Sequence, residues 1–162
     1  MKRFLTVVCI STIIFLFTAC SLFRPVNQKT PPATSAAELW QFIKLKDNYS
    51  KWDQFDDAEG LLQAAPPHGP LVKIYANDIA TGSTYTGRKG SIVIMENYEN
   101  DGKTLLTINL MQKRPGYAPS AGDWFWATYE PSGKVLEEGK IKSCVECHVS
   151  MAFDDYTFIH KW

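Results

Sequence analysis

Four short runs with a period of two constrain this 162-residue chain more than any other feature. Residues 71–76 (LVKIYA), 91–97 (SIVIMEN), 105–111 (LLTINLM) and 124–129 (WFWATY) are rich in Ile, Val, Thr and aromatic residues and bounded by turn formers. ENDGK, between the second and third, carries Asp101-Gly102, a dipeptide suited to the left-handed backbone of a tight hairpin. PSG at 131–133 closes another hairpin toward Val135. Hairpin after hairpin predicts an antiparallel sheet.

Upstream the period is helical. Ser35 with Glu38 three residues on forms a capping box ahead of an apolar face of Leu39, Phe42 and Ile43. A second, broken helical stretch is expected through Tyr49, Trp52 and Phe55 to Leu62. APPHGP ends it, because so many prolines cannot continue a helix. No internal repeat is visible. The expected class is α+β: a mainly antiparallel sheet with N-terminal helices packed on it, then a C-terminal segment with its own chemistry.

The front of the chain stands apart from this domain. Lys2 and Arg3 precede an apolar run over 4–17. It is shorter than the roughly 20 residues that a spanning helix needs, so it reads as an export signal over 1–19. FTACS places Cys20 where a bacterial lipoprotein is acylated, although Phe17 stands where leucine is usual. Ordinary cleavage after Ser21 is the alternative. Lipid on Cys20 would hold the protein on a membrane surface of the cell envelope, facing the periplasm. Ser21 suits the outer membrane. Residues 20–34 then form the lipidated cysteine and a flexible, proline-bearing tether, and 35–162 the domain.

With Cys9 lost with the signal and Cys20 lipidated, Cys144 and Cys147 are the thiols that remain. They lie in CVECH, directly before His148. Two cysteines three apart can meet the two vinyl groups of a haem, and the adjacent imidazole can turn under the iron. Zinc would need four ligands, and His68 and His160 are the other histidines on offer. A redox dithiol belongs at a strand-to-helix junction early in its fold, and a plain disulfide suits an oxidising compartment. One covalently bound haem c is the reading that agrees with export, with His148 as proximal ligand to the iron. Net charge is zero, and no basic patch interleaved with aromatics suggests nucleic acid.

Several blocks carry a resemblance. NYSKW (48–52), HGPLVKIYAND (68–78), KGSIVIMENY (89–98), DWFWATYEPSGKV (123–135) and CVECH followed by DYTF (155–158) are similar, in order and spacing, to the cytochrome P-460 family. That family includes the beta-type cytochromes c prime. The resemblance implies a mainly antiparallel sheet with helices, commonly a homodimer, and a high-spin haem whose protein ligand is the motif histidine. Hydroxylamine-oxidising members carry a lysine cross-linked to the porphyrin edge. Aligning Gly90 and Glu96 without a gap puts Met95 there, and a thioether cannot make that nitrogen–carbon bond. The chain thus resembles more closely the members that bind nitric oxide or carbon monoxide.

The expected function is therefore a gas-binding c-type cytochrome with an open distal site, with a possible periplasmic redox partner. Two alternatives stand beside it. One is a haem enzyme oxidising hydroxylamine or a related nitrogen compound, with Lys73 or Lys113 reaching the haem instead. The other is an electron-transfer cytochrome with Met95 or Met111 as sixth ligand; Met151 follows His148 too closely to reach the opposite haem face. His68 reads as a surface turn residue or a distal acid or base. Phe42, Trp52 and Phe55 are candidates for an apolar cap over the iron.

Overall fold

The computed structural model describes residues 31–82 and 87–158. The expected export signal, Cys20 and His160 lie outside them. Residues 31–34, counted with the tether above, rest on the sheet. The Pro32 carbonyl accepts from the Gln112 amide at 3.0 Å, and that of Thr34 from the Arg114 guanidinium at 2.7 Å.

Six strands run in chain order as an antiparallel meander: β1 (Leu62–Gln63), β2 (Leu71–Ala76), β3 (Ile92–Tyr98), β4 (Leu105–Lys113), β5 (Trp124–Tyr129) and β6 (Val135–Gly139). The four period-two runs became β2 to β5, and the expected α+β architecture is present. The Asp101-Gly102 turn joins β3 to β4. Gly102 has φ 63°, and the Asp101 carboxylate accepts from the Lys103 and Thr104 amides, both at 2.8 Å. The PSG turn joins β5 to β6, with Gly133 at φ 92° and its amide donating to the Glu130 carbonyl.

Both faces of the central strands β3 and β5 are largely buried, successive side chains alternating between the two. One face takes α1 (Ala36–Gln41) and the π-helical turn Phe42–Lys46 that continues it. Leu39, Trp40 and Ile43 meet Ile94, Leu110 and Tyr129 there. Full burial of Leu39 and Ile43 contributes about 1.5–3 kcal/mol each. Ser35 caps α1 by accepting from the Glu38 amide. The Glu38 carboxylate takes the Ser35 hydroxyl rather than closing the reciprocal backbone bond. The Tyr129 hydroxyl donates to the Ala36 carbonyl at 2.9 Å and ties α1 to β5. The other face gathers Val72, Ile74, Val93, Met111, Trp124 and Trp126.

The second helical stretch is corrected. Only Tyr49–Lys51 forms a short 3-10 turn, and most of 52–61 is irregular. Tyr49 and Trp52 pack with the α1 face, whereas Phe55 and Ala58 pack with the other. Asp53 bridges Ala76 at the end of β2, so the chain passes from one face to the other around the sheet. Aromatic spacing that mimics a helix here reflects a segment straddling two cores.

Candidate haem-binding site

The CVECH motif lies on α3 (Lys142–His148), after β6 and before a 3-10 stretch, Val149–Asp154. Residues three and four apart share a helix face, which brings Cys144 onto the same side as Cys147 and His148. Both cysteines are free thiols; Cys144 is half-buried and Cys147 exposed. Burial pushes the Cys144 thiol above its ordinary range.

The His148 ring is tightly placed. Its Nδ1 is 2.7 Å from the Tyr156 carbonyl oxygen, which can only accept, so Nδ1 carries the proton and Nε2 keeps its lone pair. Trp126 meets the ring edge-on with centroids 4.7 Å apart, and Phe158 does so at 5.0 Å. Burial lowers the pKa below its ordinary value, the Tyr156 bond opposes that shift, and the charge of nearby His68 adds to it. The neutral imidazole, the form that binds a metal, is therefore favoured.

Cys147 and His148 open onto a cavity of about 390 Å³ between α3, the 62–68 segment and strands β2 to β5. Its wall is mostly aliphatic, with Val72, Ile74, Val93 and Met111 from the strands. Met95 lies on the same wall, at mid-β3, opposite Ile74 and Asn109 in register. Cys144 borders a side recess of about 30 Å³ that Cys147, His148 and Trp126 share. The structure thus sets Met95, Cys147 and His148 on one cavity and Cys144 on the recess beside it.

The residues fit a porphyrin. An aliphatic wall suits its apolar face, and an imidazole with a free Nε2 stands beside two thiols. Trp126 Nε1 is buried in the wall without a partner, so the site lacks an acceptor that a bound group would supply. Among the described residues, no three His, Cys, Asp or Glu side chains gather as a metal site.

Other expectations change. His68 does sit in a turn, its amide donating to the Ala65 carbonyl, but it is half-buried rather than on the surface and lines the cavity and the recess. Gly69 fixes it there, because a Cβ at Gly69 would come within 2.7 Å of the Tyr98 carbonyl oxygen, so the backbone lies flat on β3. The glycine after the histidine was the available signal. Asn109 and Trp126 also line the cavity and were missed. Phe42 and Trp52 pack on the α1 face and cannot cap this cavity. Phe55 is on the cavity face but outside the lining. Lys73 reaches back over Tyr75 on the α1 face, with its Nζ 5.2 Å from the ring centroid. Lys113 is buried against Asp155. Met111 lines the cavity; Met151 does not.

A search of curated proteins finds no match to the chain. The family model described as Cytochrome P460 matches residues 40–159, from the last residues of α1 through the CVECH motif and DYTF. The chain belongs to the cytochrome P460 family and is a haem-binding cytochrome.

Proposed function

We propose that this cytochrome is exported, anchored by lipid on Cys20 and facing the periplasm, and that it binds a small gas, nitric oxide or carbon monoxide, at one covalently held haem c. Cys144 and Cys147 would hold the haem by adding their thiols across its vinyl groups, an addition that needs no leaving group. His148 Nε2 is the proximal ligand. Haem supplies an iron that takes a diatomic ligand. The chain supplies an oriented imidazole and a wall that excludes water. A homodimer and a periplasmic redox partner complete the picture.

The observation that carries the reading is the aliphatic cavity beside a histidine whose Nδ1 is already committed. Such a mostly apolar wall favours neutral diatomics over charged compounds. No lysine lines the cavity among the described residues, and Met95 stands on its wall. Both points support gas binding over hydroxylamine oxidation. The test uses reduced protein made in a host with c-type maturation. A broad high-spin spectrum that shifts on adding carbon monoxide or nitric oxide is expected; no shift with either gas would refute the reading.

A second reading, electron transfer, draws on Met95 and Met111, two thioethers on the same wall. It expects a sharp low-spin spectrum that changes in Met95→Ala or Met111→Ala.

A further inference from the structure

The carbonyl that holds His148 belongs to a backbone conformation that needs holding itself. Asp155 and Tyr156 follow one another with φ 52° and 65°, the left-handed region that L side chains rarely adopt. Neither is glycine. Such backbone persists where its surroundings over-determine it.

The surroundings are specific. The Lys113 ammonium from β4 pairs with the Asp155 carboxylate, with both side chains about nine-tenths buried (8% and 9% exposed). The Trp124 indole from β5 donates to the Asp155 carbonyl at 2.8 Å. The same indole lies under the Lys113 ammonium, 4.9 Å from the ring centroid, so the two anchors brace each other. Beyond them, the Tyr156 amide donates to the Met151 carbonyl at 2.8 Å, and its hydroxyl reaches the Ser120 carbonyl at 3.3 Å. The Tyr156 ring packs onto Gly122, where a Cβ would collide with it. Asp155 is thus held by side chain and carbonyl, and the next carbonyl is the one that His148 uses.

We infer that Lys113, acting through Asp155 with Trp124, is a positioning residue for the haem ligand. It fixes the Tyr156 carbonyl on His148 Nδ1 and thereby sets the donor strength of Nε2. A well-aligned Nδ1–H···O bond makes the imidazole a stronger donor, which strengthens the iron–nitrogen bond and favours ferric over ferrous iron. Lys113 does not line the cavity; it is a buried cation on the same sheet face, and it acts on the tail.

The inference rests on the haem reading above, and the test separates the two. Haem-loaded wild type, Lys113→Met, Lys113→Arg and Trp124→Phe are compared by the iron–histidine stretch in the reduced resonance Raman spectrum and by midpoint potential. Lys113→Met and Trp124→Phe should lower the stretch and raise the potential, and Lys113→Arg should restore both toward wild type. Should Lys113→Met fail to load haem, Trp124→Phe, which keeps an aromatic in the core and removes the donor, decides alone. Unmoved stretch and potential in loaded variants would overturn this inference and leave the haem reading standing. Wild type without a haem band would overturn both.

Discussion

At the scale of single residues, His148 is a group whose protonation the fold opposes. Its pKa is lowered first by burial, so the folded chain resists a proton that the unfolded chain accepts near 6.5. The sign follows from linkage. Stability that depends on the neutral imidazole is present above the unfolded pKa and is lost as pH falls through the window below it. Haem-free protein should therefore lose urea resistance more steeply than His148→Gln between about pH 7 and 5. Parallel curves for the two proteins would show that the imidazole is not held neutral. The motif was legible in the sequence because its chemistry is local: five adjacent residues carry two thiols and a ligand. The Tyr156 carbonyl was not, because backbone groups have no sequence signature. Lys113 was weighed as a cross-linking lysine, and nothing near it in the chain betrays a partner forty-two residues away.

At the scale of elements, turn chemistry explains what could be read and what could not. Asp101-Gly102 and the PSG turn announced their hairpins because positive φ favours glycine, and the strand limits followed closely. The 52–61 segment misled because its aromatics serve two cores in succession. Gly133 does a second task that no turn rule reveals: a Cβ there would overlap the Trp40 indole that docks α1 on the sheet. Gly116 provides the control, with φ 83° and nothing within 4 Å of an added Cβ. Gly116→Ala should cost roughly 1–2 kcal/mol, the ordinary penalty of left-handed backbone. Gly133→Ala should cost that penalty plus about 1–3 kcal/mol of overpacking. Denaturant midpoints read the difference. The reduced haem spectrum of both variants should match wild type, since Trp40 packs on the face away from the cavity. Equal midpoints would mean that Trp40 gives way freely and that α1 is loosely seated.

At the scale of the whole molecule, one sheet supports two unequal cores. The α1 face is closed by side chains of its own chain, whereas the other leaves about 390 Å³ between the strands, α3 and the 62–68 segment. An apolar group filling that space completes the second core much as a helix completes the first. Period-two patterning predicted a sheet with the N-terminal helices packed on it, but it cannot distinguish a face covered by protein from one covered by a cofactor. Only the motif made that distinction. Binding that favours the folded chain stabilises the elements that contact the ligand, so haem loading should act unevenly. Amide hydrogen exchange of loaded wild type against Cys144→Ser/Cys147→Ser, which cannot form thioethers, should show protection gained over 62–68 and 142–158. β4, β5 and α1 should change little, because their hydrogen bonds and α1-face packing exist without haem. Uniform gain along the chain would mean that the sheet itself depends on haem to fold. No gain in the two named segments would mean that the cavity is not where haem binds.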